Sequence, residues 1–146
     1  MIDTHTHLYL EAFDKDRDFA IQNALDEGVT DFYVPAIDSE YHKKMFDLET
    51  SYPGQVHLMM GLHPTRVKEN FKEELDLVKV QLSKRNFSAV GEIGIDLYWD
   101  RRHYDQQQQA FDIQIEWAIN YDLPIAVSYT HLRAHETRND LVCRLL

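Results

Sequence analysis

The chain opens MIDTHTHLY, which puts two histidines, His5 and His7, one residue apart. Imidazoles at that spacing can converge on one divalent cation if they share a face. In an extended segment alternate side chains do share a face, so Asp3, His5 and His7 are expected to point one way, with the His5 and His7 Cα atoms roughly 6.5–7 Å apart. A frayed histidine-rich terminus would look the same, so the pair needs a further ligand. Glu92 supplies a candidate. It lies in VGEIGID, an apolar run that reads as a buried strand. An unpaired carboxylate is costly to bury there, so it requires a cation, a metal or a hydrogen-bond network. No basic residue lies within the run to serve as an internal partner. Gly91 and Gly94 flank the position and permit close approach of backbone or ligand. A carboxylate can also bridge two metals and hold both at one water.

Such ligands must be positioned by regular elements, and the sequence marks these out. Strand signals begin near residues 1, 31, 56, 89 and 124, each followed by a loop and, for the first four, a helical pattern. Asp14 to Glu27 reads as a helix with Phe19, Ala20 and Leu25 on its apolar side and Gly28 just past its end. Phe32 to Ile37 reads as a buried strand. Ser39 is placed to cap a second helix that ends before the turn Tyr52-Pro53-Gly54. Val56 to Leu62 reads as the third strand and Phe71 to Lys84 as the third helix, with Leu75, Val78 and Leu82 at helical spacing. Ala89 to Gly94 is the fourth strand. Tyr104 to Tyr121 is the fourth helix, with Phe111, Ile115, Ala118 and Ile119 on its apolar stripe. Pro124 to Val127 begins a fifth strand.

A run of βα units builds a parallel sheet covered by helices. No Gly-rich phosphate loop follows the first strand, which disfavours a dinucleotide-binding sheet. The expected fold is therefore α/β: a partial (β/α) TIM-type barrel of about four and a half of the eight βα units. Ligands in such barrels gather at the carboxyl ends of the strands. Half a barrel leaves open sheet edges and an uncovered apolar interior.

Composition narrows the function classes. The chain has 146 residues, 44% hydrophobic and 27% charged, which is enough for one domain with a core. No apolar stretch is long enough to span a bilayer, so no membrane role is expected. A single cysteine, Cys143, leaves no intramolecular disulfide partner, and with no secretory signal a cytoplasmic setting is expected. The net charge of −10 repels polyanions and disfavours a broad electrostatic grip on duplex nucleic acid. Metal ions in a cleft can supply the local positive charge instead.

After Val127 the pattern breaks. Residues 128–146 have no βα logic, contain the cysteine, and set three arginines against Glu136 and Asp140. This segment resembles a translated sequencing adapter, so residues 1–127 are expected to be the domain and 128–146 a tail of sequencing or assembly origin. The alternative is a genuine amphipathic helix using Leu141, Val142, Leu145 and Leu146. His131 and His135 sit four apart, but Glu136 follows the second histidine, so the zinc-protease pattern fails.

DTHTHLY at the first strand, GLHP after the third, VGEIGIDLYWD at the fourth and a Gln-rich helix ending in LPIAV together resemble the TatD family of metal-dependent deoxyribonucleases, which are amidohydrolase-like barrels. The resemblance covers residues 1–127. It implies phosphodiester hydrolysis by two divalent ions (Mg²⁺, Mn²⁺ or Zn²⁺) that activate water, with DNA or another phosphodiester as substrate. His5 and His7 would bind one metal and Glu92 would bridge both. The family's next ligand is a histidine directly after the strand matching Pro124 to Val127, where this chain has Ser128. The family's later histidine and aspartate would lie beyond residue 146. With three of the expected ligands, this chain is expected to be inactive or nearly so.

Several other residues are expected near the mouth. His63 and Arg66 are candidates to contact a substrate phosphate, as are Arg101 and Arg102, although surface charge is the simpler role for the arginines. His42, His57 and His103 read as structural or solvated. Tyr98 and Trp99 suit either base stacking or an aromatic lid. Two rivals remain at this stage: a C–N bond amidohydrolase of the same barrel type, against which VGEIGID argues, and a non-catalytic truncated scaffold.

Overall fold

The computed structural model describes residues 1–130. The expected tail, with His131, His135 and Cys143, lies outside them except for positions 128–130. Five strands alternate with four helices: β1 (Ile2–Asp3), α1 (Arg17–Asp26), β2 (Asp31–Pro35), α2 (His42–Ser51), β3 (Val56–Met60), α3 (Phe71–Lys84), β4 (Ala89–Asp96), α4 (Tyr104–Asn120) and β5 (Ile125–Thr130). Short 3₁₀ turns occupy Glu11–Phe13, Ser39–Tyr41 and Pro64–Arg66.

All neighbouring strands are parallel, in the spatial order β1-β2-β3-β4-β5. That order settles the architecture. A doubly wound sheet reverses direction at a switch point, whereas an order that follows the chain describes the arc of a barrel. The five strands form a half-barrel, with Ile2 and Val127 exposed on its two edge strands. Among the described residues no helix is long and apolar enough to cross a membrane.

The core forms where the strands meet the helices. Seven of the eight β4 residues are buried, as expected of a strand covered on both faces. Phe32, Val34, Leu58 and Met60 join Val90 and Ile93 beneath the helices. Helix α3 spans the residues its apolar spacing predicts and buries Phe71, Leu75, Val78 and Leu82. Burying each such side chain contributes about 1.5–3 kcal/mol. Helix α1 ends at a glycine as expected: Gly28 has φ +89°, its N–H donates to Leu25 O, and the Val29 N–H donates to Ala24 O. This is the Schellman pattern, which closes the last carbonyls of the helix.

Four expectations need correction. Helix α1 begins at Arg17 rather than Asp14, and Phe19 points to solvent at 69% exposure; Ile21 is the residue that docks. The capping carboxylate is that of Asp38, which heads the 3₁₀ turn Ser39–Tyr41 leading into α2 and accepts from the Glu40 N–H, while Ser39 bonds to Glu74. The buried face of α4 runs through Gln107, Ala110, Gln114 and Ala118, leaving Ile119 73% exposed. Strand β1 is two residues long, so His5 and His7 lie beyond it in irregular chain instead of alternating along it.

Candidate metal centre

The first loop is held by hydrogen bonds rather than by a sheet ladder. The Asp3 carboxylate accepts from the His5 N–H at 3.1 Å, an Asx-type turn that bends the chain at the strand's end. The Asp3 carboxylate is thus engaged with the backbone and is not among the atoms that cluster with the histidines. The Thr6 N–H then donates to Tyr33 O at 3.0 Å, keeping the loop beside β2. Arg17, at the start of α1, reaches back to donate to the carbonyls of Leu8 (2.6 Å) and Leu10 (3.1 Å). With the loop fixed, the two imidazoles stand edge-to-face, their ring centroids 5.2 Å apart.

Glu92 meets them from the middle of β4. Its Oε2 lies 3.0 Å from His5 Nε2 and 3.4 Å from His7 Nε2. The local sequence explains how a carboxylate reaches this point. β5 runs so close to β4 that a Cβ on Gly91 would lie 2.6 Å from the Ala126 Cβ, and a Cβ on Gly94 would lie 2.0 Å from Ser128 O. Gly94 also has φ +148°, which side-chain-bearing residues rarely adopt. The β4–β5 register shifts between Gly91 and Ile93, and the skipped residue is Glu92. Its N–H donates instead to Ala36 O at the exit of β2. Only glycine on both sides leaves room for that irregularity, which turns Glu92 into the mouth.

The electrostatics follow from this placement. Burial opposes the charge of Glu92, but the neighbouring His63 and His7 imidazoles and the Ser128 hydroxyl favour it, and together they hold the carboxyl far below the usual carboxylate range. The ligand atoms of His5, His7 and Glu92 all lie within 4.8 Å of one another. Two imidazole nitrogens facing a single carboxylate oxygen bring acceptor lone pairs together, and a cation or bound protons must lie between them. Buried carboxylate plus paired imidazole is a donor set for a borderline or hard divalent ion.

His63 stands beside the cluster, with Nε2 3.4 Å from Glu92 Oε1. Its other ring nitrogen accepts from the Thr65 N–H at 3.2 Å. A backbone N–H can only donate, so Nδ1 is bare and the ring proton sits on Nε2. His63 therefore approaches Glu92 as a donor. The end of β3 that carries it is closed by Gln114: the Leu62 N–H donates to Oε1 at 2.7 Å and Nε2 donates to Leu62 O at 3.3 Å. Gln107 makes the same pair of bonds to Asp96 at the end of β4. Sequence reasoning missed both glutamines, because a polar residue on a helix ordinarily marks its solvent face; their seven-residue spacing, two helical turns, was the available signal.

The remaining candidates fall into place. Arg66 is not free to project: its Nε lies 3.2 Å from the buried Asp38 carboxylate. Burial pushes the Asp38 carboxyl up, and Arg66 partly offsets that. Arg102 pairs with Asp100. Tyr98 and Trp99 form an edge-to-face pair beyond β4, and Trp99 is 77% exposed. His57 pairs with Asp31, His103 approaches Glu69, and His42 is buried at the first position of α2. A polar cleft lined by Asp14, Arg17, Asp18, Lys44 and Tyr52 lies on the helix side of the first loop. Its groups already pair as Arg17–Asp14, Lys44–Glu11 and Tyr52–Asp18, so it has little to offer a ligand.

The family model described as TatD related DNase matches residues 2–143. The chain belongs to the TatD family. Among curated relatives it is 32% identical to the metal-dependent hydrolase YjjV of Escherichia coli K12, covering 96% of this chain and 56% of that protein. It is 28% identical to the 3′-5′ ssDNA/RNA exonuclease TatD of Pantoea sp. (strain At-9b), covering 93% and 52%. The crystal structure of E. coli YjjV superposes with a TM-score of 0.78 at 31% identity, over 87% of this chain and 49% of that one. A TatD family hydrolase of Entamoeba histolytica shares the fold, with a TM-score of 0.66 at 21% identity. The chain thus spans about half the length of the TatD relatives it matches. Membership in a metal-dependent hydrolase family agrees with the three-ligand cluster.

Proposed function

We propose that this chain carries the histidine–glutamate part of a divalent-metal centre for phosphodiester hydrolysis, with nucleic acid as the substrate class. The observation that carries the reading is a buried, anionic Glu92 facing the Nε2 atoms of both His5 and His7 on a TatD-family half-barrel. His5, His7 and Glu92 fit a Mg²⁺, Mn²⁺ or Zn²⁺ ion, and Glu92, with two oxygens, would be the group to share with a second. When bound, such ions supply Lewis acidity, making a water acidic and neutralising charge on a phosphate.

The chain's own residues prepare the site. Glu92 brings negative charge into a buried strand, and the imidazoles beside it would help hold a cation there. His63 presents an N–H toward the same space, positioned by Thr65, and would donate to a non-bridging phosphate oxygen. Arg66, oriented by Asp38, would add charge at longer range. Trp99 and Tyr98, exposed beyond β4, offer a face on which a base would stack without regard to sequence.

Ligand count limits the rate. One ion would have His5, His7 and Glu92; a second would have only Glu92 among the described residues, because Ser128 offers a hydroxyl where the TatD resemblance calls for a histidine. The expected result with purified chain is one tightly bound Mn²⁺ by calorimetry, and turnover of single-stranded DNA far below that of a longer TatD relative. Ser128→His should strengthen binding of a second ion and raise turnover. Absence of stoichiometric metal would leave the scaffold reading, which Ser128 favours. Hydrolysis of a cyclic amide in preference to DNA would point to C–N chemistry.

A further inference from the structure

The second ring nitrogen of His7 is engaged. Its Nδ1 lies 2.9 Å from the hydroxyl of Tyr9, and that hydroxyl lies 2.8 Å from Pro35 O, at the exit of β2. A carbonyl oxygen can only accept, so the single phenol proton goes to Pro35. The phenol oxygen then faces His7 as an acceptor, and His7 must carry its proton on Nδ1. In the neutral ring its Nε2, the atom 3.4 Å from Glu92, is then left with a lone pair. Neighbours thus sort two of the three imidazoles beside Glu92, those of His7 and His63. The Thr65 N–H occupies the Nδ1 lone pair of His63 and leaves its Nε2 the donor, while the Tyr9 oxygen, as acceptor, keeps the proton on Nδ1 of His7 and leaves its Nε2 free to act as a ligand.

We propose that Tyr9 is a positioning residue for the metal centre: anchored on the Pro35 carbonyl, it holds His7 in the Nδ1–H tautomer with the Nε2 lone pair aimed at the ion. The inference rests on the metal reading above for its purpose, but the hold on the tautomer stands on the hydrogen bonds alone. Tyr9 is suited to the role. It is 1% exposed, packs its ring 5.5 Å from that of Tyr41, and lies in a loop that Arg17 ties down through the Leu8 and Leu10 carbonyls. The phenol cannot swing away without breaking the contact to β2. Among the described residues no side chain plays this part for His5, whose ring contacts are His7 and Glu92. Outer partners of this kind fix ring orientation and basicity, and losing one typically weakens metal binding about 10–100-fold.

The test uses the full 146-residue chain. In metal-free, ¹⁵N-histidine-labelled protein at pH 8, long-range ¹H–¹⁵N correlations should show His7 as Nδ1–H and His63 as Nε2–H. In Tyr9→Phe, His7 should shift toward Nε2–H while His63 stays unchanged. Titration with MnCl₂ alone should show affinity lowered about 10–100-fold in Tyr9→Phe and within about twofold of wild type in Tyr41→Phe. An Nε2–H signal for His7 in the wild type overturns the proposal whether or not the variant folds. So does a Tyr9→Phe protein with wild-type Mn²⁺ affinity, or one that binds Mn²⁺ more weakly with His7 unshifted. If the wild type binds no Mn²⁺, the metal reading fails separately, and the tautomer spectra still decide what Tyr9 does.

Discussion

The candidate metal centre draws its proposed ligands from two regions built in opposite ways. Glu92 comes from the interior of β4, an eight-residue strand whose neighbours are buried and whose path is forced by glycines against β5. His5 and His7 come from irregular chain past a two-residue strand, more exposed and held by an Asx turn, the Arg17 side chain and Tyr9. The strand fixes its ligand by packing, which tolerates little adjustment. The loop fixes its ligands by individual hydrogen bonds, each worth about 1 kcal/mol net. The carboxylate is thus the fixed point of the site, and the imidazoles are fitted to it.

The sharpest way to break this contrast is at the fixed point. Glu92→Gln keeps the shape and removes the charge. Its cost in Mn²⁺ affinity should exceed the roughly 100-fold that loss of an outer partner causes, as measured by calorimetry. A loss no greater than that of either histidine variant would contradict the asymmetry. Gln114→Leu tests whether strand ends are as rigid as claimed. It leaves the Leu62 N–H and C=O unpaired in a buried place, and urea unfolding should show a loss of about 2–3 kcal/mol. Next come the histidines. His7→Ala should weaken Mn²⁺ binding about tenfold more than His5→Ala, the equivalent of one pre-formed hydrogen bond. Equal effects would mean that the loop does not order His7 in advance. Phe19→Ser is the smallest. This exposed residue on α1 touches neither region, and its stability should stay within about 0.5 kcal/mol of wild type.

Glu92 was legible in the sequence because a carboxylate in an apolar strand must have a partner, and that argument needs no knowledge of the fold. Helix α3 was legible because its contacts obey a single period. The misreadings share a cause. Apolar spacing points Phe19 and Ile119 inward, yet a helix's rotation is set by what it meets. Here α4 meets open strand ends at Leu62 and Asp96, and amides satisfy those backbone groups where methyl groups cannot. The histidine geometry was half legible. H-x-H announced the pair, but the strand is too short to aim it, and the contacts that hold the loop, from Asp3, Tyr9 and Arg17, reach groups whose positions no spacing rule reveals.

The two glutamines of α4 also bear on the order of assembly. A chain emerging from the ribosome has His5, His7, His63 and Glu92 in hand by residue 92, yet the clasps that finish the third and fourth strands arrive only with residues 107 and 114. Until that helix docks, the mouth has its donors without its shape, so competence to capture an ion should switch on late and abruptly as synthesis proceeds.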